Sequence, residues 1–340
     1  MKKTASLLCA LSVLALFPIV AYAQAGDVKA KLKSMKPQDY PTQPIEFVVA
    51  FPAGGGMDFT ARILAKHVEK YIDSRIIVVN KPGGGGIIGN TYLATQAAND
   101  GYTVGIPSTG ILSDDLLKAK GAWSYKNLQA LAFITEEPVT WIVSTTGPLK
   151  DMALNDVIQM SKQKPDTLKV AVIPDISFQW LAETVEMYTG GKFIIVPYQG
   201  GQPGITAMLG GHVDFATGYL PEYKGLLEAG KIKVIAQTGS ERSPYLPKVP
   251  TFGEVLKLDD VRWSVLRFAA VPKGTSKDRA NYLAAAIDAA LHDPECIEDY
   301  DKAGIKVGVK YMNGQQTDAE LESIYKNYRE FFIKTKRLAQ

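Results

Sequence analysis

Three stretches of this 340-residue chain combine residue types and spacing suited to holding an anion: Phe51-Pro-Ala-Gly-Gly-Gly-Met-Asp58, Asn80-Lys-Pro-Gly-Gly-Gly-Gly-Ile-Ile-Gly89 and Asp100-Gly-Tyr-Thr103. Each adjoins a short apolar, β-rich run (Ile45 to Ala50, Ile76 to Val79, Thr103 to Ile106), so the two glycine-rich loops are expected at strand ends that feed helices. Glycine lets a backbone approach a ligand closely, and the unpaired N–H groups and positive dipole end of the following helix favour negative charge. No Lys or Arg lies between Phe51 and Ala61. An anion held by backbone dipoles alone is held reversibly, which suits a carboxylate better than a polyphosphate.

Other chemistries find little support. The three histidines, His67, His212 and His292, are scattered without metal-ligand spacing, so no metal site is expected. No Ser has Gly two residues to each side, as a nucleophile elbow requires. Cys296 stands in Asp293-Pro-Glu-Cys296 with no motif around it, and no catalytic residue is expected. Gly84 to Gly89 fits Gly-x-Gly-x-x-Gly, but the acidic residue that a dinucleotide site needs at the next strand's end is missing from Thr103 to Gly110. No cofactor is expected.

The elements that must position these loops alternate between strand-like and helical runs, as in α/β layers with mainly parallel sheets. Strands are expected at Ile45 to Ala50, Ile76 to Val79, Thr103 to Ile106, Leu131 to Ile134, Thr140 to Ser144, Lys169 to Val172, Phe193 to Val196, Asp214 to Thr217, Lys233 to Ala236 and Arg267 to Val271. A helix is expected over Met57 to Tyr71, with Phe59, Ile63, Val68 and Tyr71 as its buried stripe; Asp278 to Leu291 and Thr317 to Lys334 supply C-terminal helices. Residues 1 to 23 read as a secretory signal, with Lys2 and Lys3, an apolar run from Leu7 to Val20, and Ala21-Tyr-Ala23 before a cut. That run is too short for a membrane anchor, and 24 to 40 form a polar lead-in. Removing Lys2 and Lys3 leaves a nearly neutral chain with a single thiol, so nothing suggests nucleic acid and no internal disulfide can form. With 46% apolar residues, stability rests on core burial.

In order and spacing, the three stretches resemble the Bug family, the periplasmic solute-binding proteins of tripartite tricarboxylate transporters. That family shows Pro-Phe-Pro-Ala-Gly-Gly with an Asp shortly after, an Asn-Arg-Pro-Gly-Ala-Gly-Gly-like loop, and Pro-Asp-Gly-Tyr-Thr. Val196-Pro-Tyr-Gln-Gly200 and Gly210-Gly-His-Val-Asp214 are close to further family patterns, and the likeness runs from about Tyr40 to the C-terminus. The resemblance implies a type II periplasmic-binding-protein-like fold, two α/β domains joined by a hinge with the ligand cleft between them. Domain 1 would be discontinuous (41 to 136 plus 263 to 340), and 137 to 262 would form domain 2. It also implies a periplasmic monomer that closes on a small carboxylate and delivers it to the large and small membrane subunits of the transporter. An exported protein read by a sensor kinase is the alternative use.

The resemblance nominates residues, each of which also has a plainer role. Ala53, Gly54, Gly55 and Gly56 are turn residues or ligand N–H donors, and Met57 stands where relatives have a small hydroxyl residue. Asp58 caps a helix or orders the loop at the site. Ser108 and Thr109 follow a strand end; Ser177, Gln179 and Trp180 fall in the family's Gly-Ser-Pro-x-His-Leu-like segment, with Trp180 in the His place, where it is either core or ligand wall. Tyr198, Gln199 and Gly200 follow the next strand, and Gly218-Tyr219 replaces an Asp-Ser pair. Arg267, inside an apolar strand, is either exposed or, if buried, paired, with a ligand carboxylate a natural partner. Met57, Trp180 and Tyr219 together point to a ligand with an apolar or aromatic body rather than citrate.

Overall fold

A computed structural model describes residues 27–174, 178–257, 264–307 and 311–339. Helix α1 (27–35) precedes β1 (Ile45–Val49), α2 (Gly56–Val68), β2 (Ile76–Asn80), α3 (Ile87–Thr95), β3 (Thr103–Gly105), α4 (Gly110–Leu117) and the long β4 (Leu128–Pro138). A second set follows: β5 (Thr140–Ser144), α5 (Leu154–Gln163), β6 (Leu168–Val172), α6 (Gln179–Thr189), β7 (Phe193–Pro197), α7 (Gly201–Leu209), β8 (Phe215–Gly218), α8 (Leu220–Glu228), β9 (Ile232–Gln237) and α9 (Phe252–Leu256). The chain returns through β10 (Ser264–Pro272) and ends in α10 (Lys277–Leu291), α11 (Pro294–Lys302) and α12 (Gly314–Lys334).

These elements build two α/β domains, each around a five-stranded sheet, in the orders β2-β1-β3-β10-β4 and β7-β6-β8-β5-β9. Each sheet is covered on both faces. In the first, Phe47, Leu64 and Ile287 share one core while Val48, Leu112 and Leu321 share the other. In the second, Trp141, Val157 and Phe252 fill one face and Ile142, Ile205 and Tyr223 the opposite one. Burial on both faces explains the near-continuous apolar runs of β1 and β5.

The sheets are mixed rather than mainly parallel. β1 pairs in parallel with β2 and β3, and β6 with β7 and β8, but β10 runs antiparallel to β3 and β4, and β5 antiparallel to β8 and β9. The cause is the double crossing between sheets. β4 and β10 lie side by side from Ser264↔Pro138 to Pro272↔Leu128, longer than the apolar cores of either run suggested.

Helix α2 also departs from expectation. Its buried face is Met57, Ala61, Leu64, Ala65 and Val68, whereas Phe59 is 37% exposed. Positions 57 and 59 lie about 200° apart on a helix, so Phe59 falls off the buried face, while Val68 is buried and Ile63 and Tyr71 pack against the same core as expected. The helix stops at Val68, leaving Tyr71 beyond it.

Candidate functional site

A cavity of about 500 Å³ opens between the loops of the two sheets. From the first domain it is lined by Phe51, Pro52, Ala53, Gly55, Gly56, Met57 and Ser108; from the second by Ile173, Phe178, Tyr219, Glu222 and the segment from Gly200 to Pro203 with Thr206. Its volume suits a small molecule. Among the described residues the lining holds one ionisable acid, Glu222, and no basic side chain.

Three helix starts meet here. Gly56 opens α2, Gly201 opens α7, and Tyr219 precedes α8. The first N–H groups of a helix lack partners four residues back, so each start is a place for negative charge. One such charge is already built in. Glu222, only 6% exposed, accepts the Tyr219 N–H at 2.8 Å through one oxygen and the Gly56 N–H at 3.2 Å through the other. A Cβ on Gly201 would collide with that carboxylate, so the glycine makes room for it. Burial raises the Glu222 carboxyl above its ordinary value, although the two backbone N–H groups and Arg267 act against this.

Arg267 is fully buried in β10. Its Nη1 lies 2.6 Å from Glu137 Oε1, an ion pair, and donates to the Gly56 carbonyl at 2.6 Å and to Thr60 Oγ1. The guanidinium lies under the Tyr219 ring at 4.7 Å, and a Cβ on Gly56 would come within 2.8 Å of Nη2. Of the two readings open for Arg267, exposed or buried and paired, the structure shows the second; the partner is Glu137 of β4, and the guanidinium stands behind the cavity wall. Burial pushes the Glu137 carboxyl up to about 7 despite Arg267, with Glu222 adding to the rise.

Asp58, 3% exposed, binds the loops together rather than facing the cavity. One oxygen accepts the Gly54 N–H at 2.9 Å and Arg62 Nε at 2.8 Å; the other accepts Asn80 Nδ2 at 3.0 Å. Asn80 also donates to the Phe51 carbonyl at 3.0 Å. The two glycine-rich loops are thus tied by one carboxylate. Burial would raise it, but the hydrogen bonds from Arg62, Gly54 and Asn80 outweigh burial and hold the Asp58 carboxyl below its usual range.

Of the nominated residues, Ala53, Gly55, Gly56, Met57, Ser108, Gly200 and Tyr219 line the cavity. Gly54, Asp58, Thr109, Gln179, Trp180, Tyr198 and Gln199 lie outside that lining, and Ser177 falls outside the described residues. Thr109, 1% exposed, donates its backbone N–H to the Leu266 carbonyl next to Arg267. Gln179 donates to Glu183 at 2.9 Å, and Gln199 is exposed. Trp180 packs against Phe331, Phe332 and Tyr328 of α12, with ring centroids 4.3, 5.2 and 5.6 Å away, joining α6 to the first domain. Lining residues not singled out from sequence include Phe178, Gln202 and Glu222, and Phe51 of the first glycine-rich stretch also lines the cavity. Phe178 meets Tyr219 edge-to-face at 5.0 Å, so the second-domain wall is aromatic. The available signal for Glu222 was its place three residues after Tyr219, where a helix-start Glu reaches back to the capping residue.

Two α/β domains with a small-molecule cavity between them define the two-domain solute-binding class. Within that class the chain belongs to the tripartite tricarboxylate transporter family receptors, whose model matches residues 60–331. It is 30% identical over 267 residues to BugT of Bordetella pertussis, covering 78% of this chain and 81% of that protein. The solved periplasmic binding protein BugD is 27% identical with a TM-score of 0.80, covering 88% of this chain and 100% of that one. An R. palustris protein solved with adipate is 26% identical with a TM-score of 0.77, covering 88% and 99%. Members of this family are solute-binding receptors rather than enzymes.

Proposed function

We propose that this chain, freed of residues 1 to 23 on export, captures a small carboxylate in the periplasm and presents it to the large and small membrane subunits of a tripartite tricarboxylate transporter. The observation that carries the reading is the cavity of about 500 Å³ where the starts of α2, α7 and α8 converge without a basic side chain. Helix starts can hold a carboxylate reversibly, as a delivery protein needs. The adipate seen in the R. palustris neighbour supports the ligand class. Segments 41 to 136 plus 263 to 340 would move as one domain and 137 to 262 as the other, hinged where β4 and β10 cross, since the chain enters the second sheet at Thr140 and rejoins the first through β10. No helix among the described residues is long and apolar enough to cross a membrane, which suits a protein that docks on separate membrane subunits.

The test is a melting screen on protein unfolded and refolded to strip retained ligand. A carboxylate present at 100 times its dissociation constant should add about 2.7 kcal/mol to stability, and no product should form on long incubation. Stabilisation by sugars or nucleotides, with none by mono-, di- or tricarboxylates, would overturn the reading.

A further inference from the structure

At the cavity wall, two buried carboxylates lie around one guanidinium. Glu137 and Glu222 are 4% and 6% exposed, and Arg267, fully buried, pairs directly with Glu137. Glu222 instead takes two backbone N–H groups, one from each domain, and is among the residues that line the cavity. One cation cannot neutralise two anions, and a buried charge without compensation is costly. The balancing charge must therefore come from a proton or from whatever occupies the cavity. The anion place at the start of α2 is also partly taken, because the Gly56 N–H that a ligand carboxylate would use points at Glu222.

We propose that Glu222 sets the ligand class, so that the site takes a carboxylate whose far end carries an ammonium group, and disfavours dicarboxylates of the same length. This deepens the carboxylate-binding reading and rests on it. The ligand's ammonium donates to Glu222, while its carboxylate goes to the start of α7, whose N–H groups Glu222 does not take, and its methylene body lies along Phe51, Met57, Phe178 and Tyr219. A second carboxylate at the Glu222 end meets like charge. Gly201, by lacking a side chain, leaves room for the Glu222 carboxylate beside the start of α7.

The experiment uses three ligands that differ only at one end: adipate, 5-aminopentanoate and pentanoate, with their shorter and longer homologues. Each is titrated by calorimetry into refolded wild type, Glu222→Gln and Glu222→Ala, whose melting curves are recorded to establish that each variant is folded. Wild type is expected to bind the amino acid of the best-fitting length at least about tenfold more tightly than the matching dicarboxylate. Both variants should lose that preference, and Glu222→Gln, which keeps the shape, should bind the dicarboxylate more tightly than wild type does. A wild type that prefers the dicarboxylate, or a preference unchanged in the variants, overturns the inference while leaving the carboxylate reading intact. Dicarboxylate binding that strengthens about tenfold per unit fall in pH would show that a proton, on Glu222 or on Glu137 beside Arg267, supplies the charge, and would also overturn it. If no carboxylate of any kind binds any of the three proteins, the carboxylate reading falls and the inference falls with it.

Discussion

Arg267 Nη1 lies 2.6 Å from Glu137 Oε1, so the two strands that carry the chain between domains are joined by an ion pair whose side chains are 0% and 5% exposed. The same nitrogen reaches the Gly56 carbonyl and Thr60 Oγ1 on α2. One guanidinium thus fixes the first turn of α2, which lines the cavity, relative to the crossover strands.

Removing the cation should therefore be severe. Arg267→Leu leaves Glu137 and Glu222 without their shared countercharge in a dry interior, an expected loss of about 3–5 kcal/mol. The urea midpoint would fall accordingly. Arg267→Leu combined with Glu137→Leu should recover most of that loss, because an apolar pair replaces a buried charge. A single variant as stable as wild type would show that the pair contributes nothing of this size.

The crowding of carboxylates around Arg267 also sets a pH dependence. Glu137 is pushed up to about 7, chiefly by burial, from an ordinary value of 4.5. A carboxyl raised in the folded state favours folding while protonated, so its contribution is full below about 4.5 and is lost as pH rises through about 7. Stability should decline between about pH 4.5 and 7 by at most about 1.4 kcal/mol per pH unit from this proton and level off above that. Glu137→Gln should flatten the decline in urea midpoints. An equal slope in the variant would assign it to other groups.

Asp58 gives the opposite sign. Its carboxyl is held below its ordinary 3.8, so its contribution is present above that value and lost as pH falls further. Asp58→Ala frees the Gly54 N–H and the Asn80 amide, at a cost of about 1–3 kcal/mol. Because the same carboxylate ties both glycine-rich loops, ligand affinity should fall even though Asp58 does not line the cavity. Unchanged affinity in a folded Asp58→Ala protein would mean that the loops hold their shape without it.

Much of this was legible because short-range chemistry carries it. The glycine-rich loops, their flanking strands and the Asp58 loop follow from local patterns, and seven nominated residues reach the cavity lining. What escaped depends on distant pairing. Glu222 is an ordinary acidic residue in sequence, and only the meeting of α8 with the α2 start brings it to the Gly56 N–H, 166 residues away in the chain. Arg267 in an apolar strand left exposure and a buried pair both open, and nothing local named Glu137 on the neighbouring strand as a partner. Trp180 was ambiguous because a large ring on a helix faces whichever element covers it, and here that element is α12, far along the chain.

Export should be visible in mass. Protein recovered from the periplasm is expected to span Gln24 to Gln340, following the Ala21-Tyr-Ala23 pattern behind the apolar run. Recovery of periplasmic protein that retains residues 1 to 23 would refute the cut.

The placement of the aromatic rings separates two effects that a single substitution could confuse. Trp180 is 3% exposed and packs on three rings of α12, so Trp180→Ala should act on stability, costing about 3–5 kcal/mol through the cavity it leaves. Tyr219 lines the ligand cavity beside Phe178, and its ring lies over Arg267. An aromatic ligand body packed against Tyr219 gains about 0.5–1.5 kcal/mol beyond its area burial. Tyr219→Ala should therefore shrink the affinity ratio of an aromatic to an aliphatic carboxylate by roughly 2- to 10-fold. Trp180→Ala should leave that ratio unchanged while lowering the melting temperature. The ratio is the discriminating quantity, because a loss of closure weakens both ligands alike and cancels. A ratio that falls in Trp180→Ala and holds in Tyr219→Ala would put the ligand's ring on α6 instead of on the wall formed by Phe178 and Tyr219.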